Sequence, residues 1–426
     1  MMARQMKASG VDWMGVIPAR WKMARGRDVF TESLKKVDME KLPMLLSLTK
    51  KGVIPRRLDG SGKYPASFET YQQVTPGDFV FCLFDVAETP RTIGYVNHEG
   101  MITGAYSVFK VKEKHRFFEY LLVNIDDMKA LQPFYAGMRN VIQMKVFKKL
   151  LYPLPPQQEQ IAIAAYLDDR TTAIDRKIQL LQEKSTALSD LRKSVIHQAV
   201  TKGLDLNVVM KPSGVDWIGD IPNSWTLERL KTKVEWKNGQ WGSEPTGVDD
   251  IVCFRKADYM ENTIVSGATL RNYTGKPFVQ KDDILIEKSG GGEKSPVGAL
   301  AYVLVKTQAI CSNFMARIRA TSVLPRYCFY SLSAFYDSGS VMKCIAQTTG
   351  IQNLSTSAFL NNAYMYPNHK EQIAIATYLD ERTAVIDDSI KTITEQITAF
   401  KSLRQSLIHE AVTGKINVAD FGYKTT

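Results

Sequence analysis

The chain has 426 residues, 44% apolar and 23% charged, an ordinary globular composition with room for two to four domains. No apolar run reaches the ~18 residues that span a membrane. The start, Met1-Met2-Ala3-Arg4-Gln5-Met6, lacks the apolar core and cleavage site of a secretory signal, so a cytoplasmic protein is expected. The formal net charge is +11, and the five cysteines (Cys82, Cys253, Cys311, Cys328, Cys344) are scattered with no C-x-x-C pair, which argues against a disulfide frame or a zinc site and fits reduced thiols.

The first element is a marker, Met6-Lys7-Ala8-Ser9-Gly10-Val11-Asp12-Trp13, which runs on through Ile17-Pro18 to Trp21. A block of mixed α/β character follows, about 25–155. In it Pro76-Gly77-Asp78 is turn chemistry feeding a strand over 79–84. Basic residues interleave with aromatics here, and Lys50, Lys51, Arg56, Arg57, Lys63 and Arg139 are candidate nucleic-acid contacts. Asp127-Met128-Lys129 has the spacing of a nuclease Asp-x-Lys, but such triplets arise constantly by chance.

A helical block occupies 159–204. Pro155-Pro156 precedes its first turn, where proline is tolerated and Glu159 complements the positive helix end. A short apolar helix is expected over 161–167, with Asp168-Asp169-Arg170-Thr171 capping a second helix of about 30 residues, ~45 Å long. In that second helix Ile174, Ile178, Leu181, Leu188 and Val195 fall at alternating steps of four and three, a coiled-coil seam interrupted by Ser185 and Arg192. Gly203 stands where a left-handed C-cap is wanted.

Then the chain repeats itself. Met210-Lys211-Pro212-Ser213-Gly214-Val215-Asp216-Trp217 restates the marker and runs to Trp225. A second variable block, about 229–367, does not match the first in sequence, although 280–286 reads as the counterpart of its turn and strand. Its candidate contacts are Lys237, Gln240, Arg255, Lys288, Ser289, Gly290 and Lys294, with Trp241, Arg271, Tyr273 and Lys276 nearby. Gln and Asn suit adenine edges, and Arg can grip guanine. The run Lys288-Ser289-Gly290-Gly291-Gly292-Glu293-Lys294 lets backbone approach a ligand between two lysines, or is a flexible surface loop; it is not a phosphate-binding Walker motif. Residues 371–416 repeat 159–204 without a gap, with about half the positions identical. The second seam is Ile386, Ile390, Ile393, Ile397, Phe400 and Leu407, with Arg404 at the place of Arg192 and Gly414 as the cap. The two seams can close on each other as an antiparallel pair or pack against another copy of the chain. His197 and His409 hold equivalent places near the helix ends and read as structural.

Together the two helical blocks hold 12 basic and 13 acidic residues, so the whole cationic excess lies outside them. Such a field suits a polyanion, nucleic acid above all, or keeps a solvated basic surface soluble. There is no G-x-G-x-x-G, no H-E-x-x-H, no Asn/Asp-Pro-Pro-aromatic and no histidine cluster. The chain reads as a binder: no catalytic residue, no metal ligand, no cofactor of its own.

These residues resemble the specificity subunits of Type I restriction–modification systems. The resemblance rests on Leu154-Pro155-Pro156-Gln157-Gln158-Glu159-Gln160-Ile161-Ala162, on Ser194-Val195-Ile196-His197-Gln198-Ala199-Val200-Thr201-Lys202-Gly203, and on the Ser-Gly-Val-Asp-Trp markers. The second helix start departs from the pattern, with the single Pro367 before Asn368. The resemblance implies an α/β chain with two globular mixed α/β target recognition domains, separated by a pair of long antiparallel coiled-coil helices in a pseudo-two-fold repeat. The boundaries expected are 1–153 and 206–366 for the recognition domains, 154–205 and 367–416 for the helical regions, and 417–426 for a tail. It further implies a non-catalytic subunit that binds an asymmetric, split duplex DNA site and assembles with two adenine-N6 methyltransferase subunits and with restriction (motor) subunits. S-adenosylmethionine and ATP/Mg would sit on those partners, and no membrane is involved. The rival classes are a coiled-coil scaffold without DNA binding, a specificity subunit of a related multi-subunit methyltransferase, and a self-contained methyltransferase or nuclease.

Overall fold

The computed structural model describes residues 4–38, 43–56, 67–85, 89, 91–112, 116–137, 140–205, 207–240, 251–259, 263–264, 268–270, 276–292, 295–306, 309–348 and 351–424. The chain divides into two compact units, residues 1–180 with 396–426 and residues 181–395.

In the first unit the marker folds into a ribbon, Met6–Ala8 against Val16–Pro18, and buries Trp21. Strand Lys22–Arg25 pairs with Leu151–Leu154, so the variable block ends where it began and hands the chain to the helix. Between these ends four antiparallel strands run in the order Phe30–Glu32, Ser107–Val111, Asp78–Phe81, Ile93–Tyr95. The strand expected over 79–84 is the shorter inner strand Asp78–Phe81, buried throughout. An aromatic nucleus of Phe30, Phe81, Phe109, Phe147 and Tyr152 fills one side, and helix Phe117–Asp127 joins the same core. A smaller core of Leu46, Val53, Val74, Val80, Val96, Ile102 and Val108 includes residues of the hairpin Leu46–Thr49/Gly52–Pro55.

The second unit follows the same plan. Its marker ribbon is Met210–Pro212 with Asp220–Pro222, and Thr226–Arg229 pairs with Ala363–Tyr366. The main sheet runs Val234–Asn238, Met315–Ala320, Ile284–Glu287, Leu300–Val303, Thr263–Ile264. Each inner strand begins with the same device. Asp78 Oδ2 accepts from Thr75 N, and Asp283 Oδ2 from Gln280 N, both at 2.8 Å. Each buried carboxylate also meets a cation from the neighbouring strand, Lys110 at 3.7 Å and Arg319 at 2.7 Å. The second unit adds two three-stranded sheets, Ala268–Leu270/Ile251–Phe254/Ala309–Cys311 and Ser289–Gly290/Ile351–Leu354/Ile345–Thr348.

The helical blocks differ from expectation at one point. No break separates a short helix from a long one: Gln157–Lys202 is a single helix of 46 residues and His369–Val412 one of 44, ~69 and ~66 Å instead of ~45 Å. The cap candidates are used sideways. Asp168 Oδ1 accepts from Arg116 Nε and Tyr120 OH, both at 2.6 Å, and Thr171 Oγ1 donates back to Leu167 O at 2.7 Å. The second helix repeats this, with Asp380 Oδ1 accepting from Arg326 Nε and Tyr330 OH at 2.6 Å and Thr383 Oγ1 donating to Leu379 O at 2.7 Å. Two side-chain donors draw each carboxylate sideways, away from the backbone N–H groups that it would cap, and the helix runs on. The single proline at the second start is offset by Asn368, whose Oδ1 accepts from Glu371 N at 3.1 Å.

Within each unit a segment of one long helix lies antiparallel to a segment of the other. In the first unit Arg404 bonds Asp175 at 2.9 Å while Tyr423, beyond the end of the second helix, bonds Asp169 nearer the start of the first. In the second unit Arg192 bonds Asp387 at 2.8 Å while the Gly203 end faces Glu371. The two arginines keep the seam's spacing and find aspartates across it. Seam residues Ile174, Ile178, Leu181, Ile386 and Ile393 are buried; Leu188, Val195, Ile390, Ile397, Phe400 and Leu407 are half-buried. The cysteines are all free and buried, and no helix among the described residues is long and apolar enough to cross a membrane.

Each long helix ends on a marker. Gly203 and Gly414 are left-handed, φ 76° and 71°. Gly203 lies beside Trp225, whose Nε1 donates to Glu371 at 3.0 Å, and His197 Nε2 meets Trp217 O at 2.7 Å. Gly414 is pressed against Pro18 and Trp21, and His409 lies against the Trp13 ring. A Cβ at Gly414 would stand 2.4 Å from Pro18 Cδ, whereas at Gly203 it would first meet the Glu371 carboxylate at 3.0 Å, the end of a side chain and not a ring fixed to the backbone. Both Gly→Ala substitutions should therefore lose at least about 1 kcal/mol from the backbone alone. Gly414→Ala should lose clearly more than Gly203→Ala in urea denaturation, and equal losses would contradict this packing.

Candidate nucleic-acid interface

In the second unit the candidate contacts gather at one end of the main sheet. Strand Val234–Asn238 ends with exposed Lys237 and Asn238; the Lys237 ammonium stands 4.6 Å from the Phe278 ring centroid. Gly239 follows because nothing larger fits: a Cβ there would be 1.9 Å from Ser312 O. Gln240 is then held by its backbone N to Cys311 O at 2.8 Å.

Lys288 leaves the inner strand beside this edge. Its backbone N bonds Phe314 O at 2.7 Å and its Nζ donates to Asn238 Oδ1 at 3.2 Å. Ser289 Oγ donates to Asn353 Oδ1 at 2.7 Å. Gly290 and Gly291 have φ of 126° and 62°, backbone that side chains resist, so the glycine run has a structural cause as well. Lys256 Nζ lies 3.9 Å from Glu287 Oε2; burial pushes the Glu287 carboxyl up and the Lys256 ammonium down, each opposed by the other's charge. Arg255, exposed, turns its Nε toward Asp258 at 3.6 Å. Lys237, Lys288, Ser289 and Gly290 are thus brought together, with Gln240 beside them and Arg255 joined through its neighbour Lys256. Lys294, Trp241, Arg271 and Tyr273 lie outside the described residues.

In the first unit Lys50 and Lys51 are exposed at the turn of hairpin Leu46–Thr49/Gly52–Pro55, and Arg56 follows its second strand. The turn is tied by Thr49, which donates to Gly52 O and accepts from Lys51 N, both at 3.1 Å. Arg91 supports it from beneath, donating to Lys50 O at 3.1 Å while bonding Asp127 at 3.0 Å. That pair accounts for the first member of the Asp127-Met128-Lys129 triplet, and Lys129 Nζ donates to Thr89 O at 3.2 Å. Arg57, Lys63 and Arg139 lie outside the described residues. Among the described residues no group of three or more His, Cys, Asp and Glu side chains is placed to hold a metal ion.

Residues 218–399 match the family profile described as the Type I restriction modification DNA specificity domain. The chain is 24% identical to the MjaVIII specificity subunit of Methanocaldococcus jannaschii over 66% of each chain. It is 21% identical to the StySPI specificity subunit of Salmonella potsdam, over 65% of this chain and 60% of that one. The match thus spans about two thirds of these relatives' length. A solved chain from work on complex assembly and conformational transition of the type I R-M system superposes with a TM-score of 0.67, at 18% identity, over 94% of this chain and 99% of that one. Residues 218–399 of this chain are similar to a Type I restriction modification DNA specificity domain. At 18% identity the structural likeness speaks to the shared fold, and the profile match speaks for residues 218–399.

Sequence reasoning overlooked three groups in this chain. Asn238, Gln352 and Asn353 stand among the second unit's basic candidates, with Gln352 Oε1 accepting from Val297 N at 3.2 Å. The other two groups are the latches that seat helix Phe117–Asp127 and its counterpart in the second unit, helix Pro325–Asp337, on the long helices: Arg116/Tyr120 on Asp168/Thr171 and Arg326/Tyr330 on Asp380/Thr383. A faint signal existed: an Arg-x-x-x-Tyr stands 52 residues before the repeated Asp-x-x-Thr in the first block and 54 before it in the second, although Arg91/Tyr95 and Arg255/Tyr259 share the same spacing. Tyr330 is buried, and desolvation pushes its hydroxyl up to about 12. Asp380→Ala should destabilise the protein by about 1–3 kcal/mol, because the Tyr330 hydroxyl loses its charged acceptor. Asp380→Asn, which keeps an oxygen, should lose less. Urea titrations of both variants check this, and wild-type stability in Asp380→Ala would show the latch to be idle.

Proposed function

We propose that this chain is the DNA-specificity subunit of a Type I restriction–modification complex. Residues 1–153 and 206–366 act as two target recognition domains, and residues 154–205 and 367–416 act as the helical regions to which partners dock. The observation that carries the reading is the second unit's exposed edge of Lys237, Asn238, Lys288 and Ser289, inside a segment that matches a DNA specificity domain. Two units on one plan but with unlike edges imply two unlike half-sites, hence an asymmetric split target. The chain itself carries no catalytic group and no cofactor. Two methyltransferase subunits supply S-adenosylmethionine and methylate adenine N6, restriction subunits supply ATP-driven chemistry, and the assembly works in the cytoplasm.

Methylation mapping of a host with and without this gene tests the reading. The expected result is a gene-dependent split motif with different halves. A continuous or palindromic motif would sink the two-reader account, and an unchanged methylome together with salt-independent duplex affinity would favour a scaffold that binds no DNA. A second measurement concerns the first unit's hairpin. Replacing Lys50 and Lys51 with alanine should weaken binding about equally on all sequences. It should also lower the slope of log K against log salt by up to about two, if both ammonium groups neutralise phosphates. An unchanged slope would remove these lysines from the interface.

A further inference from the structure

The amide of Asn238 is held in one orientation by its neighbours. Its Oδ1 accepts from Trp236 Nε1 at 2.9 Å and from Lys288 Nζ at 3.2 Å. An indole N–H and an ammonium can only donate, so the oxygen must be the atom that faces them. Nδ2 is left with two N–H donors, and no acceptor among the described residues takes them. Asn238 is exposed, at the end of its strand, and the residue after it is the tightly packed Gly239. Beside it the Lys288 ammonium adds further donors. The edge therefore presents donors and no outward side-chain acceptor at this point.

The major-groove edges of the four bases differ in what they require. Adenine offers the N7 acceptor and the N6 donor, so an amide that reads it must present both its oxygen and its nitrogen. Cytosine offers a donor, and thymine one acceptor beside a methyl group. Guanine alone offers two adjacent acceptors, N7 and O6. With its oxygen turned inward, the Asn238 amide cannot make the adenine pair. Together with Lys288 it matches guanine.

We infer that Asn238 is a specificity-determining residue of the second unit, and that it and Lys288 read a guanine in the half-site which that unit recognises. The inference rests on the DNA-recognition function proposed above. It goes beyond it in naming the residue, the base and the reason for the choice. The Trp236 indole is a positioning group: it touches no base and sets which atoms of the amide face outward.

The test uses the purified full-length chain, with whatever subunits co-purify, and duplexes carrying the mapped target with every single-base replacement in both half-sites. Wild type should discriminate for guanine at one or more positions of one half-site. Asn238→Ala should reduce that discrimination at one of them by about 5- to 150-fold, the range of one good two-bond base contact, and leave the other half-site unchanged. Asn238→Asp keeps the size but turns every outward atom into an acceptor, so guanine preference at that position should be lost outright. Wild-type discrimination in both variants would overturn the inference, and so would equal weakening on all duplexes, which would mark Asn238 as a phosphate contact. Absence of any sequence preference in the wild-type chain is a different failure and would remove the specificity reading itself. The side chain is exposed, so matched melting temperatures serve as the folding control.

Discussion

A carboxylate followed three residues later by threonine is helix-start chemistry when its oxygens are free to turn back onto the backbone. At Asp168 and Asp380 the carboxylate is drawn sideways instead. An arginine and a buried tyrosine from a short helix take the same oxygen, at 2.6 Å each, and the backbone continues as one helix. Everything larger depends on this diversion. An unbroken helix carries its apolar stripe from the seat of one short helix, through the seam, to the marker where it ends. A break at residue 168 or 380 would uncouple each variable block from the seam, because the latch lies on the very turn that would be lost. The same four groups thus join two scales: they hold a small helix on a large one, and they keep the large one whole.

The seam has its own polar pairs. Arg192–Asp387, half-buried, and Arg404–Asp175, whose aspartate is exposed, sit among isoleucines and leucines, and ion pairs of this kind add little net stability against an apolar replacement. Their value lies in register. A slip of the helices would leave each arginine facing an apolar side chain with no partner, an arrangement that costs several times what the pair contributes. The end junctions fix the same register by other means, since Gly414 meets Pro18 and Trp21 only in the present alignment.

Much of this was legible in the sequence, and what was not has physical reasons. The repeat, the seam positions, the two left-handed glycines and the inner strand after Pro76-Gly77-Asp78 could all be read, because each is a local pattern with one dominant cause. The continuity of the long helices could not. Whether Asp168 caps a helix or bonds Tyr120 depends on a partner 48 residues away. The likeness of the two variable blocks was hidden for a related reason. It resides in a few polar pairs, Asp78 with Lys110 and Asp283 with Arg319, whose members lie more than thirty residues apart and tolerate exchange of lysine for arginine. Among the interface candidates, charge pointed to Lys237 and Lys288, but Asn238 carries no charge and belongs to no motif. Only the two donors that orient it set it apart.

The division of charge follows from this architecture. The seam needs arginine and aspartate in matched numbers, because each charge there is answered by the facing helix, and the helical blocks, with 12 basic and 13 acidic residues, end close to neutral. The rest of the chain has no such duty, and the cationic excess lies there, with Lys50, Lys51, Lys237 and Lys288 among its cations. Of these, Lys50 and Lys51 meet solvent at a turn held by backbone and threonine hydroxyl bonds, with no carboxylate in the tie. Lys288 is different, since its ammonium is bound to a neutral amide that it also orients. A charge spent on orienting a neighbour keeps its full field, because an amide oxygen cancels none of it, whereas a carboxylate in the same place would. The second unit's edge can therefore be ordered and cationic at once, and substitutions there can alter which atoms face outward without disturbing the neutral frame that holds the edge in place.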